Sequence, residues 1–312
     1  MTTWPAGMAD WIEERLGPGS SGGAVLLSVS NSRVWRIEDA TGRSFIAKHL
    51  LDPSSMPVTE RTVGRLLRER GSRRARPVLD VRRNTDGTHY VLAEYAEGSP
   101  LADVLGTERT VAPWTEQLCE LLRDVGAIEV SGFGKLSGAL CAPWRTWSSF
   151  LLDYSEEQRL KAPVLASAHH YALDTLLAEA APLLDAAAPR PRLVAADINS
   201  RNFVVGPDGL VNVNLPVLWG GDPTAAYGQA LIHWADTDGE EVLFHRSGAP
   251  RWLLHLYAAF HAYVILAYAE RFTPGPLDSV TPWGRTTPLV ELLDRHLAAV
   301  RLPSSKEKGV CS

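Results

Sequence analysis

In its N-terminal third the chain alternates apolar and polar positions in short runs bounded by turn residues, the two-residue period of half-buried strands. Residues 24–30, 32–38, 44–50, 77–82 and 89–94 read as five strands, with Asp39-Ala40-Thr41-Gly42 and Asn84-Thr85-Asp86-Gly87 as turns between them. Two helical spacings interrupt this pattern. Residues 1–16 place Trp11, Ile12 and Leu16 on one face before Gly17-Pro18-Gly19, and residues 59–70 align Val63, Leu66 and Leu67 before Gly71. Beyond Tyr95-Ala96-Glu97-Gly98-Ser99-Pro100 the period changes to that of helices, over 114–125, 147–154, 165–184, 252–268 and 288–300. One β-rich stretch, 192–215, is set among them. The pattern predicts an α+β fold of two lobes: a β-rich N-terminal lobe over 1–97, a mainly helical C-terminal lobe over 98–303, and a loose polar tail over 304–312.

Composition narrows the class. A chain of 312 residues exceeds the usual single core, which agrees with two lobes. A hydrophobic content of 45% and a charged content of 21% describe a globular chain. The formal charge of -5 argues against a nucleic-acid binder that relies on a positive field. Cys119, Cys141 and Cys311 are too few and too scattered for a disulfide framework or a zinc site, so the expected setting is a reducing cytoplasm. The N-terminus carries no basic, apolar export pattern, and 252–268, with His255 and His261, reads as a buried core helix rather than a membrane span. No Gly-x-Ser-x-Gly occurs, and Cys119 falls on an apolar helix face.

The chemistry concentrates in Ala195-Ala196-Asp197-Ile198-Asn199-Ser200-Arg201-Asn202, followed by a turn at Gly206-Pro207-Asp208-Gly209 between two apolar runs. A hairpin centred on Asp208 would set Asn202 opposite Asn214, with Asp197 on the loop leading in. A carboxylate beside two oxygen donors suits phosphoryl transfer, in which one group orients an acceptor hydroxyl and others hold Mg²⁺ against phosphates. The Asp-x-x-x-x-Asn spacing of Asp197 and Asn202 is that of a kinase catalytic loop. Alone it is commonplace. It gains weight immediately before a hairpin and after a β-rich lobe with a central lysine.

These segments resemble the aminoglycoside phosphotransferase (choline kinase-like) family of protein-kinase-fold enzymes. The likeness rests on Ala195-Ala196-Asp197-Ile198, Asn202, Val213-Asn214-Leu215 and Gly221-Asp222-Pro223, on the hinge-like Tyr90-Val91-Leu92-Ala93-Glu94-Tyr95, and on Phe133-Gly134-Lys135-Leu136 before Trp144, Trp147 and Phe150. The resemblance implies ATP or GTP and Mg²⁺ as cofactors, and a hydroxyl-bearing small molecule or a peptide Ser/Thr as acceptor. It implies Asp197 as catalytic carboxylate and Asn202 and Asn214 as metal ligands. It implies Lys48 as the phosphate-gripping strand lysine, with Glu60 (or its rival Glu69) as helix partner. Ser30 and Asn31 match the phosphate-covering turn, and Glu94 and Tyr95 the hinge. Read alone, Lys48 is an ordinary strand lysine and Glu60 a solvated helix residue.

Two departures matter. Ala195 and Ala196 stand where relatives carry the His-Gly that props the catalytic loop, and Asn214 stands where they carry a metal-binding aspartate. Loss of one charge from such a site is worth roughly 4 kcal/mol at an effective dielectric near 20. Either Asp222 or an acidic substrate supplies the missing charge and the chain is a kinase, or it is a pseudokinase serving as a partner-binding scaffold. Candidate acceptor contacts are Trp219, Asp222, His233, Trp234, Asp236, Asp238, Glu240 and Glu241. The acidic run 236–241 could draw in a cationic acceptor, although such runs are more often solvated loop.

Overall fold

In a computed structural model, residues 4–29, 32–108, 110–162, 169–272 and 275–303 are described. The N-terminal lobe runs α1 (Met8–Leu16), β1 (Val25–Val29), β2 (Ser32–Glu38), β3 (Ser44–Leu50), α2 (Pro57–Glu69), β4 (Val78–Arg83) and β5 (His89–Glu94). The strands form one antiparallel sheet in the order β1-β2-β3-β5-β4. Alternation along the strands gives the sheet two unlike faces. Trp35, Ile37, Phe45, Ala47, Tyr90 and Leu92 point to one side, where Met8, Trp11 and Ile12 of α1 seal them into a small core. The opposite face carries the row Val34–Lys48–Val91 and, two residues along, Arg36–Ile46–Ala93. Lys48 is thereby aimed away from the α1 core and towards the other lobe.

The linker then adds β6 (Ser99–Pro100) and enters α3 (Leu101–Thr107), α4 (Ala112–Gly126), β7 (Gly134–Lys135), α5 (Trp147–Lys161), α6 (His169–Ala187) and β8 (Arg192–Ala195). There follow a hairpin of β9 (Phe203–Gly206) and β10 (Gly209–Asn212), β11 (Leu218–Gly221), α7 (Thr224–His233), α8 (Gly239–Ser247), α9 (Arg251–Phe272) and α10 (Leu289–Ala299). β6 pairs with β9, so the linker crosses directly onto the hairpin. The approach is close enough to need glycine on both sides. Gly98 has φ +138, and a Cβ there or on Gly206 would overlap the other segment's backbone.

The predicted helices and strands are present with most ends shifted by a few residues; the first helix begins only at Met8 and the helix at 147 runs on to Lys161, while 1–3, 30, 165–168 and the tail 304–312 lie outside the described residues. α9 is long and apolar enough to cross a bilayer by length and composition, but it packs in the centre of the C-terminal lobe against α5, α7 and α10. From Leu253 to Ala269 most of its side chains are buried. A helix apolar on all sides is what such a central position requires.

Candidate active site

The hairpin brings the polar residues together, with a register one step away from the expected one. Gly206 pairs with Gly209 and Phe203 with Asn212, so the turn is the two-residue Pro207-Asp208 loop. Asn202 therefore faces Val213, whose N–H donates to the Asn202 carbonyl at 2.9 Å, and not Asn214. The two asparagines still meet, because β10 ends at Asn212 and the next residues turn back over the loop. Buried Asn212 braces that turn: its Nδ2 donates to the carbonyl oxygens of Asn202 at 3.2 Å and Asn214 at 3.0 Å.

The side chains at 48, 214, 202 and 197 form one hydrogen-bonded line between the lobes. Lys48 Nζ donates to Asn214 Oδ1 at 3.1 Å and to the Val213 carbonyl at 3.2 Å. Asn214 Nδ2 donates to Asn202 Oδ1 at 3.1 Å. Asn202 Nδ2 donates to Asp197 Oδ2 at 3.0 Å and to the Asp197 carbonyl at 3.1 Å. Burial pushes the Lys48 ammonium below its usual range, opposed by the field of Glu60. Burial pushes the Asp197 carboxyl up, opposed by the Asn202 hydrogen bond. Both ends of the line are thus charges held partly out of water.

Glu60 joins the site through the backbone. Its Oε1 accepts the Leu215 N–H at 2.7 Å, fixing the segment that carries Asn214, and it reaches Lys48 only through its field. Glu69 lies at the far end of α2 beside Arg65. The loop that carries Asp197 is held at two points: Gln229 Oε1 on α7 accepts the Ile198 N–H at 2.8 Å, and the Ala196 N–H donates to the Val217 carbonyl at 3.0 Å. Two alanines at 195 and 196 therefore leave the loop anchored. Neither Asn212 nor Gln229 stood out in the sequence. Asn212 reads as one position of a strand, and Gln229 acts across a long stretch of chain.

The other expected residues are more dispersed. Ser30 and Asn31 lie outside the described residues. Glu94 turns to Arg43 at 3.0 Å and Arg68 at 3.3 Å. Tyr95 lies under the Arg36 guanidinium, 4.9 Å from its ring centroid, at the hinge end of the sheet face that carries Lys48. Trp219 and Trp234 are core residues, 2% and 0% exposed, which takes both away from any acceptor. Trp219 stacks on His261 at 5.4 Å.

Asp222 is buried. It accepts from Tyr257 Oη at 2.7 Å and from the Thr224 N–H at 2.9 Å, so it supplies no charge to the cleft. The acidic run is spent on structure. Asp236 binds Thr287 and Arg295, Asp238 accepts the Val111 and Ala112 N–H groups at the start of α4, Glu240 accepts the Asp236 N–H, and Glu241 pairs with Arg251. Local partners account for these carboxylates without a cationic acceptor.

A Mg²⁺ ion does not fit the side chains as they stand. Asn202 and Asn214 are neutral, the Asn214 oxygen already faces the Lys48 ammonium, and the Asn202 oxygen already accepts from the Asn214 amino group, so a cation at either would sit against a donor. Mg²⁺ demands near-octahedral oxygen ligation and is usually held by carboxylates with substrate phosphates. Among the described residues, no cluster of three or more His, Cys, Asp or Glu side chains could hold a metal ion.

No protein-family profile matches the chain, and no curated protein matches it. Solved structures do. A thermostable mutant of aminoglycoside phosphotransferase APH(4)-Ia, in ternary complex with ADP and hygromycin B, superposes with a TM-score of 0.71 at 16% identity, covering 96% of this chain and 100% of that one. This chain has the protein-kinase-like fold. A second complex of that enzyme, with AMP-PNP and hygromycin B, gives 0.68 at 16% identity over 94% and 98% of the two chains. A choline/ethanolamine kinase family protein from Mesorhizobium loti gives 0.60 at 17% identity, over 95% of this chain and 100% of the other.

Proposed function

We propose that this protein is a phosphotransferase that moves the γ-phosphoryl group of ATP to a hydroxyl of a small molecule. The observation that carries the reading is the hydrogen-bonded line from Lys48 on the N-terminal sheet to Asp197 on the loop before the hairpin. Neighbours of the same fold hold ADP or AMP-PNP together with hygromycin B, which supports ATP as donor and an aminosugar or amino alcohol as acceptor.

Lys48 is placed to neutralise a phosphate oxygen. Two of the three N–H groups of its ammonium are used by Val213 and Asn214, and among the described residues the third has no partner. Asp197 takes the proton of the acceptor hydroxyl as the acceptor oxygen bonds to the γ-phosphorus and the bond to the β–γ bridging oxygen breaks. Its raised pKa makes it a better base than a solvated aspartate. Asn202 orients that carboxylate, and Glu60, Asn212 and Gln229 hold the surrounding backbone.

The test is transfer from γ-labelled ATP across a panel of aminocyclitols, aminosugars and choline-type alcohols. Asp197→Asn should lower turnover by about 10²–10⁴-fold, the usual contribution of a general base. Equal transfer by parent and variant contradicts the reading. Asn214 favours a second reading, a nucleotide-binding scaffold without turnover. It stands if the parent binds nucleotide but transfers phosphate to no member of the panel.

A further inference from the structure

We infer that this cleft binds nucleotide without a metal ion, with the Lys48 ammonium as the cation that meets the phosphates and Asn214 as the residue that makes binding indifferent to Mg²⁺. The inference deepens the nucleotide-site reading above and rests on it.

The orientation of the line of side chains is forced from both ends. An ammonium can only donate, so Asn214 must turn its oxygen to Lys48 and its amino group to Asn202. Asn202 then accepts through Oδ1 and donates through Nδ2 to Asp197, which as a carboxylate can only accept. Every donor points from the cation to the anion, an arrangement in which each bond polarises the next. Turning Asn214 over to offer its oxygen to a metal beside Asn202 would press its amino group against the Lys48 ammonium, donor against donor. Turning Asn202 over would strip Asp197 of its side-chain partner. Each amide oxygen keeps one lone pair, but a metal bound there would sit beside the donor already on that oxygen, the Lys48 ammonium at Asn214 and the Asn214 amino group at Asn202.

The charges agree with the geometry. The Lys48 ammonium and the Asp197 carboxylate cancel along the line, the two residues between them are neutral, and Glu60 adds one negative charge whose field reaches Lys48. An aspartate at 214 would add a further negative charge facing a polyphosphate, and a divalent cation would then be needed to join the two. With asparagine there, the incoming phosphate meets the Lys48 ammonium with one negative charge fewer around it.

The experiment is calorimetric titration of AMP-PNP into the full-length protein in EDTA and again in excess MgCl₂, with Lys48→Ala and Asn214→Asp run alongside. The parent should bind with affinities within about threefold in the two buffers. Lys48→Ala should weaken binding at least tenfold in both. Asn214→Asp should bind at least tenfold more tightly in MgCl₂ than in EDTA. A parent whose affinity rises tenfold or more with Mg²⁺ overturns the inference and leaves the nucleotide site standing. A parent that binds nucleotide in neither buffer overturns the nucleotide site itself, and the inference with it.

Discussion

A chain of amides with an ammonium at one end and a carboxylate at the other has a single orientation, and the chemistry of this cleft follows from it. Asn202 is its middle link, bonded on both sides by side chains. Replacing it with leucine should free Asp197 from its positioning donor and lower turnover by about 10²-fold or more, while nucleotide affinity, which depends on Lys48, changes little. Gln229 is the complementary case, since it touches no charged group of the line. Gln229→Leu leaves the buried Ile198 N–H without an acceptor, at a cost of about 1–3 kcal/mol, and should lower both the melting temperature and the turnover number. Gln229→Glu keeps an acceptor oxygen and should recover much of the turnover. Asp197 and Asn202 could be picked out by loop spacing and Asn214 by its place after the hairpin turn, whereas Lys48 stood out only through the family resemblance. Gln229 and Asn212 could not be picked out, because their partners lie across the fold and no short pattern marks them.

The hairpin is the element that sets the site, and Gly209 sets the hairpin. Its φ of +82 closes the two-residue turn, and a Cβ there would run into the Gln117 side chain. Gly209→Val should therefore cost about 1–2 kcal/mol in backbone strain alone, read as a lower denaturant midpoint. The same turn explains the one-step error in the expected register. Gly-Pro-Asp-Gly signals a turn without stating whether two or three residues form its tip, and each choice shifts every cross-strand pair. α7 and β11 were missed for a different reason. Every residue of α7 from Ala225 to His233 is buried, and so are all four residues of β11, so neither has a polar face to reveal a period. α8 was masked by its acidic start, which reads as solvated loop. Asp238 instead accepts two N–H groups at the start of α4, and Asp238→Ala should lower stability by about 1–2 kcal/mol without touching nucleotide affinity.

At the scale of the whole molecule, the C-terminal lobe is built around α9 and carries buried histidines that tie stability to pH. Burial holds His233 down to about 4 and His261 down to about 3, from an ordinary value of 6.5. In the unfolded chain both take up protons near 6.5, so between that pH and about 4 the unfolded state binds more protons than the folded one. Their contribution is fully present above 6.5 and is lost as the pH falls through this window. The melting temperature should drop between pH 6.5 and 4, and His261→Gln should flatten that slope. A variant as steep as the parent contradicts the assignment. The two-lobed α+β architecture could be read from the change of period at the linker alone, since a shift from strand to helix spacing survives any error in element ends. Which tryptophans and acidic residues face the cleft could not, since that depends on which faces the packing of the lobe consumes.

In the proposed function, the cation that meets the phosphates between the two lobes is Lys48. The most direct measurement is equilibrium dialysis of labelled ADP against the parent and Lys48→Met. Saturable binding of one nucleotide per chain that weakens at least tenfold in the variant is the predicted result. Equal binding by both proteins, or none by the parent, would contradict the account.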